Sequence, residues 1–174
     1  MHYDLKDFQA AIDDFSKVII IDPQHVQAFF SRGYAFYDLK KFKPAIEDFS
    51  KAIEIDPNHV EAWYNRGFAK FDIENYRGAV ADFTESIKLR PNDINAYANR
   101  GEARYHLGHL RGAIADFTVV IQLDAEAANA YYNRGVAQSD LLNEYEAKKD
   151  LEMALALNHP GAQEALDKLK HSSL

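Results

Sequence analysis

The side chains best suited to acid–base or metal chemistry are the histidines, and their spacing predicts no reactive site. His106 and His109 lie close together, but no carboxylate accompanies them at the spacing of a metal ligand set. His25 and His59 recur at the interval of a repeated segment, which makes them one position of that segment rather than a pair. A solvent-exposed loop therefore explains these histidines better than a metal site does.

Other catalytic constellations are missing from the sequence. Gly108 and Gly112 have no lysine beside them and do not form a phosphate-binding loop, and no Gly-x-Ser-x-Gly segment occurs. The chain has no cysteine, which excludes thiol nucleophiles, disulfides and cysteine-ligated metals without fixing the compartment. Carboxylates are numerous, but nothing specifies the shielded pocket that paired catalytic carboxylates need. We expect a non-catalytic protein without a cofactor or a metal site.

The composition limits the partners of the chain. Its 174 residues are 47% hydrophobic, enough for a domain that folds around its own core without disulfides. The formal net charge of −7 disfavours a nucleic acid partner, whose phosphates require a basic surface. No apolar run of roughly 18 residues is present, so the sequence predicts no membrane span. The remaining expectation is a protein or peptide partner.

The elements that position these side chains repeat at a constant interval, the one that separates His25 from His59. An arginine–glycine pair recurs without insertion, an alanine follows each glycine after twelve residues, and a large apolar residue comes four residues later. An aromatic residue precedes each glycine by four positions. Such self-similarity predicts a repeat architecture. The pairs are Arg32-Gly33, Arg66-Gly67, Arg100-Gly101 and Arg134-Gly135.

The order aromatic residue, glycine, alanine, large apolar residue and proline, over a period of about 34 residues, resembles the signature of the tetratricopeptide repeat (TPR) family. The resemblance covers the segments 26–59, 60–93, 94–127 and 128–161. It implies an all-α fold, a right-handed helical solenoid of antiparallel helix pairs called a TPR superhelix. The chain departs from the family at one position of every repeat. The residue before the glycine is usually leucine in the family, and here it is arginine in each copy.

The N-terminal residues 1–25 are interpreted as a truncated half repeat. The last turn of a first helix is predicted at Tyr3 and Leu5, and a complete second helix from Phe8 to Ile21. That second helix lacks most of a first-helix partner from its own repeat. The chain is therefore interpreted as a fragment of a longer protein or as one whose exposed N-terminal helix docks on another chain.

The C-terminal residues 162–174 are interpreted as a capping helix, 162–170, followed by a tail. They lack the repeated aromatic residue and glycine and are rich in polar residues. Together with the four repeats and the half repeat, they predict a single TPR domain over 1–174.

Aromatic residues recur on a second face of the predicted first helices. The resemblance implies that first helices line the inner surface of the solenoid, and rings at i, i+4 and i+7 share one helix face. One interpretation is an apolar groove for a peptide segment or a partner helix. The alternative is that the rings pack on adjacent first helices as ordinary core. The aromatic rows contain Phe30, Tyr34, Tyr37, Tyr64, Phe68, Phe71, Tyr105 and Tyr132.

A polar row of Ser31, Asn65, Asn99 and Asn133 accompanies the aromatic rows. An asparagine amide offers a donor and an acceptor, which matches one peptide backbone unit. The three asparagines resemble the ladder in the TPR domain of O-linked N-acetylglucosamine transferase, which implies a grip on the backbone of an extended peptide. The alternative is that each asparagine hydrogen-bonds within its own repeat.

An acidic row, Asp38, Asp72 and Asp140, adds charge to the predicted groove. Solvated helix ends explain any one of these residues, whereas the row as a whole favours complementarity to a basic partner. We therefore expect a protein or peptide partner that carries basic residues.

The resemblance also argues against one TPR function for this chain. The chaperone-cofactor branch binds the C-terminal carboxylate of heat-shock proteins through a lysine and an asparagine of one first helix, with further basic residues two repeats on. Here the two positions hold other side chains, so we expect no heat-shock-protein carboxylate clamp. The pairs at these positions are Phe30 and Tyr34, Tyr64 and Phe68, and Ala98 and Glu102.

Two charged rows are interpreted as structural. The repeated arginines occupy a position that packs in the family, and a packed guanidinium favours a bidentate carboxylate partner. Aspartates recur on the second helices and supply such partners, either within a repeat or from each second helix to the next first helix. The predicted ion-pair ladder consists of Arg32, Arg66, Arg100 and Arg134 with Asp14, Asp48, Asp82, Asp116 and Asp150.

The sequence thus predicts a non-catalytic protein–protein interaction module that binds a peptide segment or a partner helix in a concave groove. The alternative is a self-assembling scaffold in which the uncovered N-terminal helix pairs with another chain. Both interpretations place recognition on helix surfaces, and neither requires a cofactor, a nucleic acid or a membrane.

Overall fold

Ten α-helices make up the described part of the computed structural model, residues 5–172, with side chains described for residues 8–170. No strand occurs within these residues. The outermost parts of the predicted half repeat and tail, residues 1–4 and 173–174, lie outside the described residues. The helices are α1 Leu5–Ile21, α2 Val26–Asp38, α3 Phe42–Ile55, α4 Val60–Asp72, α5 Tyr76–Leu89, α6 Ile94–His106, α7 Leu110–Leu123, α8 Ala128–Asp140, α9 Glu144–Ala156 and α10 Ala162–Ser172.

The beginning of α1 differs from its prediction. The helix is continuous from Leu5 to Ile21, whereas the sequence predicts a separate last turn at Leu5 and a second helix from Phe8. No proline or glycine stands between these residues, so nothing ends a helix there. A helix that is already formed at Phe8 extends by another turn without a new nucleation cost.

Local signals in the sequence set the helix ends. His59 Nδ1, Asn75 Oδ1 and Asp93 Oδ1 accept hydrogen bonds from the backbone N–H three residues on, at 3.1–3.2 Å. Turns after several helices use a left-handed residue with φ between 59° and 72°, a conformation that glycine adopts most readily. These turn residues are Lys40, Glu74, Gly108, Leu142 and Asn158.

The helices form two compact units, Met1–Arg90 (unit 1) and Pro91–Leu174 (unit 2). In unit 1, α2 packs on α3 and α4 packs on α5, while α1 lies against α2. In unit 2, α6 packs on α7 and α8 packs on α9, while α10 lies against α9. Each of these four antiparallel pairs falls within one of the four repeated segments of the sequence.

The two helices of each pair meet where a glycine of the first helix faces a large side chain of the second. A Cβ built on Gly67 would lie 2.9 Å from the ring of Phe83, closer than real Cβ atoms come. Only a residue without a side chain permits this approach, which explains a glycine inside a helix. The large side chains at these crossings are Phe49, Phe83, Phe117 and Leu151, all fully buried.

The last helix covers the second helix of the fourth repeat. Leu166 and Leu169 of α10 are buried against Ala147 and Leu151 of α9. Polar residues on the other side of α10 are exposed. Within the described residues, each helix is too short or too polar to span a lipid bilayer.

Candidate interaction surface

Each arginine of the repeated Arg-Gly pair binds an aspartate of its own repeat. Arg66 donates from Nε and Nη2 to the two carboxylate oxygens of Asp82, at 2.9 and 2.8 Å. The same two-bond geometry recurs at a spacing of 16 residues in the other repeats. Of the two arrangements that the sequence left open, pairing within the repeat is the one observed. The other pairs are Arg32–Asp48, Arg100–Asp116 and Arg134–Asp150.

The arginine also ties its repeat to the preceding second helix. Arg66 Nη1 donates to Ser50 Oγ at 3.0 Å, and the guanidinium carbon lies 4.8 Å from the ring centroid of Trp63. The guanidinium is therefore held by a carboxylate, a hydroxyl and an aromatic face. Equivalent hydroxyl contacts of 3.0 Å join Arg32 to Ser16 and Arg134 to Thr118.

A second donor reaches the aspartate from four residues beyond the arginine. Lys70 Nζ lies 2.7 Å from an oxygen of Asp82. Arg104 Nη1 lies at the same distance from an oxygen of Asp116, and Gln138 takes this place in the last repeat. Reasoning from the sequence missed these residues, although the i, i+4 spacing places them on the same helix face as the arginine.

The aspartates favour the charged form of their arginines. The hydrogen bond to Asp48 raises the pKa of Arg32, against the opposing effect of partial burial, and Asp150 does the same for Arg134. The aspartates are almost fully buried, and a buried carboxylate without such partners would be costly. The charges of the Arg–Asp pairs are therefore matched within the fold rather than displayed to a ligand.

Asp14, a predicted member of the ion-pair ladder, pairs with a lysine of its own helix instead. Its side chain is 74% exposed, and its carboxylate lies 2.9 Å from Lys17 Nζ, one turn along α1. The arginine of each observed pair precedes its aspartate by 16 residues. The aspartates of these four pairs are buried, whereas Asp14 is exposed.

The aromatic rows of unit 1 lie on α2 and α4 and are only partly covered. Tyr34 is the most exposed ring, at 47%. The rings of Tyr37 and Phe68 meet edge to face across the two helices, with centroids 6.0 Å apart. Phe30 packs 5.8 Å from the core ring of Phe49. The rings thus contact one another and the core while part of their surface stays open. The other members in this unit, Tyr64 and Phe71, are half-buried as well.

The corresponding face of unit 2 is hollow. Three cavities of about 330, 240 and 310 Å³ follow one another along α6, α8 and α10. The first two share Asn133, and the last two share Tyr132, which stacks on His159 at a centroid distance of 4.0 Å. Tyr105 lines the cavity of about 240 Å³. The small side chain of Ala98 lines the cavity of about 330 Å³.

Members of the polar row differ in what they contact. Asn65 Nδ2 donates to the backbone oxygen of Glu61 at 2.7 Å, a bond within its own helix. Ser31 Oγ accepts a hydrogen bond of 3.1 Å from a glutamine one turn earlier. Asn133, in contrast, lines two of the cavities of unit 2, and Asn99 is half-buried on α6. The row is therefore not uniform, although its residues are nearly uniform in sequence.

Two members of the acidic row accept hydrogen bonds from tyrosines of the aromatic rows. The hydroxyl of Tyr37 donates to Asp72 Oδ2 at 2.5 Å. The hydroxyl of Tyr105 donates to Asp140 Oδ2 at 2.7 Å, with the same spacing of 35 residues. Asp38 is half-buried, and burial raises the pKa of its carboxyl. The two Tyr–Asp bonds were not predicted, although their equal spacing in the sequence was a usable signal.

The hydrogen bond from Tyr105 to Asp140 predicts that the stability of the fold depends on pH. The hydrogen bond to Asp140, together with burial, raises the pKa of Tyr105 from its ordinary value of 10.0 to about 12. Since the pKa is higher in the folded state, the stabilisation is complete below pH 10 and is lost as the pH rises through 12. With allowance for solvent screening, we expect a contribution of about 1 kcal/mol.

The tyrosinate absorbance of the parent protein minus that of Tyr105→Phe isolates this one titration. Asp140→Asn removes the charged acceptor, so the difference titration should shift towards lower pH. An unshifted titration in Asp140→Asn would contradict the assigned cause.

The surface of the first helices offers rings, amides and carboxylates at fixed positions. Among the described side chains, no group of three or more histidines and carboxylates is placed to hold a metal ion. The arrangement suits non-covalent recognition of another chain, because apolar area and hydrogen-bonding groups lie side by side.

Helix pairs that repeat at a fixed period define a helical-repeat scaffold. Family models described as TPR repeat and as tetratricopeptide repeat match residues 33–73 and 60–93. The TPR domain of Arabidopsis OM64 is 30% identical with a TM-score of 0.62, over 65% of this chain and 95% of that one. The chain belongs to the tetratricopeptide repeat family, as the sequence predicts.

Two further solved structures resemble this chain. MamA is 26% identical with a TM-score of 0.85, over 94% of this chain and 99% of that one. The first TPR of Spaghetti (RPAP3), solved with the HSP90 peptide SRMEEVD, is 25% identical with a TM-score of 0.65, over 70% and 96%. No curated protein sequence matches the chain significantly. The predicted fold class, the all-α TPR solenoid, is confirmed.

Proposed function

We propose that the chain binds an extended peptide segment of a partner protein along the exposed face of its first helices. TPR proteins are protein–protein interaction modules, so recognition of another chain is the function that the family supports. The run of cavities in unit 2 carries the finer proposal. Successive hollows along α6, α8 and α10 suit successive side chains of an extended peptide.

The lining residues indicate the chemistry of the peptide. Tyr105 and Tyr132 provide ring surface for apolar side chains, and Asn133 provides one amide for a backbone unit. Glu102 borders the same cavity, and Asp140 borders the next one. We propose a peptide with apolar and basic residues, in which the basic residues mainly increase the association rate.

Unit 1 contributes to recognition through its exposed rings. Tyr34 offers the largest open ring surface, and Asp38 and Asp72 supply the negative charge. Asn65 contributes less than Asn133 in this proposal, because its Nδ2 already donates within α4. The proposed contact residues of unit 1 are Phe30, Ser31, Tyr34, Tyr37, Tyr64, Asn65, Phe68 and Phe71.

An acidic C-terminal peptide is not the proposed ligand. The Spaghetti domain was solved with the acidic HSP90 peptide SRMEEVD. In this chain, the two positions that the clamp requires hold Phe30 and Tyr34 or Ala98 and Glu102. The rings offer no positive charge, and Glu102 repels a terminal carboxylate.

Changing Asn133 to alanine is expected to weaken peptide binding about tenfold, the effect of losing one or two hydrogen bonds. The probes are peptides selected from a random library on the parent protein, with affinities measured by fluorescence anisotropy. The matched control is Asn92→Ala, an exposed asparagine in a loop, which should leave the affinity unchanged. Peptides that keep the parental affinity for both Asn133→Ala and Tyr132→Ala would overturn the proposal.

The alternative of self-assembly through α1 stays a prediction. Ile20 and Ile21 at the end of α1 are highly exposed, which favours an apolar contact there. Neither residue lines the cavity between α1 and α2.

A further inference from the structure

The outer face of α9 differs in character from that of α3, α5 and α7, the second helices of the other repeats. Residues spaced i, i+4, i+7 and i+11 share this face, opposite the side of α9 that packs on α8 and α10. The face carries an aromatic ring, two opposite charges and a small side chain. Its residues are Tyr145, Lys149, Glu152 and Ala156, all exposed to solvent.

Residues of low polarity replace charged and polar ones at both ends of this face. Tyr145 stands where the other repeats have a cation, and it is nevertheless 78% exposed. Ala156 stands where they have a longer polar side chain. Leu142, in the turn before α9, and Met153 add apolar surface beside the face, at 84% and 44% exposure. The equivalent residues are Lys43, Arg77 and Arg111 for Tyr145, and Glu54, Lys88 and Gln122 for Ala156.

The exposure of this face is a property of the repeat and does not depend on where the repeat lies in the chain. Lys43 and Glu54 occupy the same repeat positions on α3, a helix that packs on α2 and on α4. Both residues are exposed as well. The neighbouring helices of a complete repeat therefore leave the outer face open, and a further repeat packed beside α9 would leave it open too.

The charges on the face match a second copy of α9 in antiparallel orientation. The spacing i, i+4, i+7 and i+11 keeps residues in the seam between two paired helices. When the two-fold axis passes near the middle of α9, Lys149 of each copy faces Glu152 of the other. Tyr145 of each copy then faces Ala156 of the other. In a parallel pair, Lys149 would face Lys149 and Glu152 would face Glu152, and like charges oppose that arrangement.

Glu152 makes a weak contact within its own helix. Lys148 Nζ lies 3.8 Å from Glu152 Oε1, and the two side chains are 61% and 58% exposed. Exposed pairs of this kind contribute little to stability. A lysine of a second copy therefore reaches Glu152 without displacing a strong interaction.

We propose that the outer face of α9 is a self-association surface, which pairs with the same face of a second copy of this chain in antiparallel orientation. The small Ala156 lets the ring of Tyr145 approach the opposite helix, and Met153 covers the edge of that ring. The reciprocal pairs of Lys149 with Glu152 set the register. The proposal does not rest on the peptide groove, because the residues of the face line none of its cavities in unit 2.

One helix from each copy forms a small interface. Stable interfaces bury about 1,200 Å² or more, so we expect a weak dimer with a Kd of about 100 µM. Sedimentation velocity of the full chain at concentrations from about 10 to about 1,000 µM should therefore show a reversible equilibrium between monomer and dimer.

Two charge reversals test the pairing of Lys149 with Glu152. Lys149→Glu gathers only carboxylates at the centre of the dimer, and Glu152→Lys gathers only ammonium groups there. Each variant alone should dimerise at least about tenfold more weakly than the parent. An equimolar mixture of the two should associate at least as tightly as the parent, because one chain then carries the carboxylates and the other the ammonium groups.

Tyr145→Lys introduces the kind of residue that the other repeats have at this position, and it should weaken the dimer about tenfold. The matched control for the charge reversals is Glu47→Lys, since Glu47 occupies the repeat position of Lys149 on α3 and is exposed. This control should leave the Kd within about twofold of the parent. Every substituted residue is exposed, so circular dichroism should show the helix content of the parent in each variant.

Several results would overturn the proposal. A parent chain that stays monomeric up to about 1 mM removes the surface, and so does a dimer that both charge reversals leave intact. An oligomer that Ile20→Lys dissociates and the charge reversals do not assigns association to α1 and refutes pairing through α9. If the two charge variants stay monomeric when mixed, Lys149 and Glu152 do not pair across the interface and the antiparallel arrangement is wrong.

Discussion

Replacing Asp82 by alanine is expected to lower the free energy of unfolding by about 3 kcal/mol. The Asp82 carboxylate accepts two hydrogen bonds from Arg66 and lies 2.7 Å from Lys70. Its side chain is 3% exposed, and those of the two cations are 14% and 18% exposed. The substitution leaves two cations largely buried without a counter-charge, which costs more than the loss of the hydrogen bonds alone.

Urea denaturation followed by circular dichroism measures this effect as a shift of the midpoint. The chain supplies a matched control in Asp14, the same repeat position with an exposed side chain. Asp14→Ala should change stability by no more than about 0.5 kcal/mol. If the midpoints of Asp82→Ala and Asp14→Ala are alike, the buried ion pair is not what holds the helix pair together.

The repeat and its helix pairs could be predicted because they depend on residues close together in the sequence. Glycine and alanine at fixed positions mark the crossing, and proline after the second helix marks its end. The period then brings Gly67 opposite Phe83 whatever the other residues are. Local rules also explain the one error in the helices, since nothing between Leu5 and Phe8 breaks the helix.

The partner of each arginine could not be predicted, because the repeat makes two spacings equally regular. Asp48 follows Arg32 by 16 residues and precedes Arg66 by a similar interval. Both spacings recur from repeat to repeat, so no comparison within the sequence separates them. The packing of the helices determines which aspartate each arginine contacts. In the structure, Arg32 Nε lies 2.7 Å from Asp48 Oδ2.

The contacts of the asparagines in the polar row could not be predicted from the sequence either. Asn65 and Asn133 occupy the same repeat position, yet one donates to its own helix and the other lines two cavities. The environment of each asparagine depends on the side chains around it, such as the small Ala98 beside the first cavity of unit 2. Identical residues at identical positions therefore acquire different surroundings.

Removing the ring of Phe83 is expected to cost about 4 kcal/mol, and in that background a methyl group at Gly67 should change from destabilising to stabilising. The ring is fully buried, so Phe83→Ala loses its transfer free energy and leaves a cavity. In the parent protein, a Cβ at residue 67 would lie 2.9 Å from that ring and 3.2 Å from the Cβ of Asp82. This overlap costs about 2 kcal/mol and outweighs the gain of about 1 kcal/mol in helix propensity.

Without the ring, the methyl group enters the vacated space and the helix-propensity gain of about 1 kcal/mol remains. A double-mutant cycle of Gly67→Ala and Phe83→Ala, measured by urea denaturation, gives the coupling directly. The matched control is Gly112→Ala, where the nearest contact is the flexible side chain of Arg104 at 3.2 Å. That substitution should be neutral or slightly stabilising in both backgrounds. If Gly67→Ala has the same effect with and without the ring, the Phe83 ring is not what excludes a side chain from the crossing.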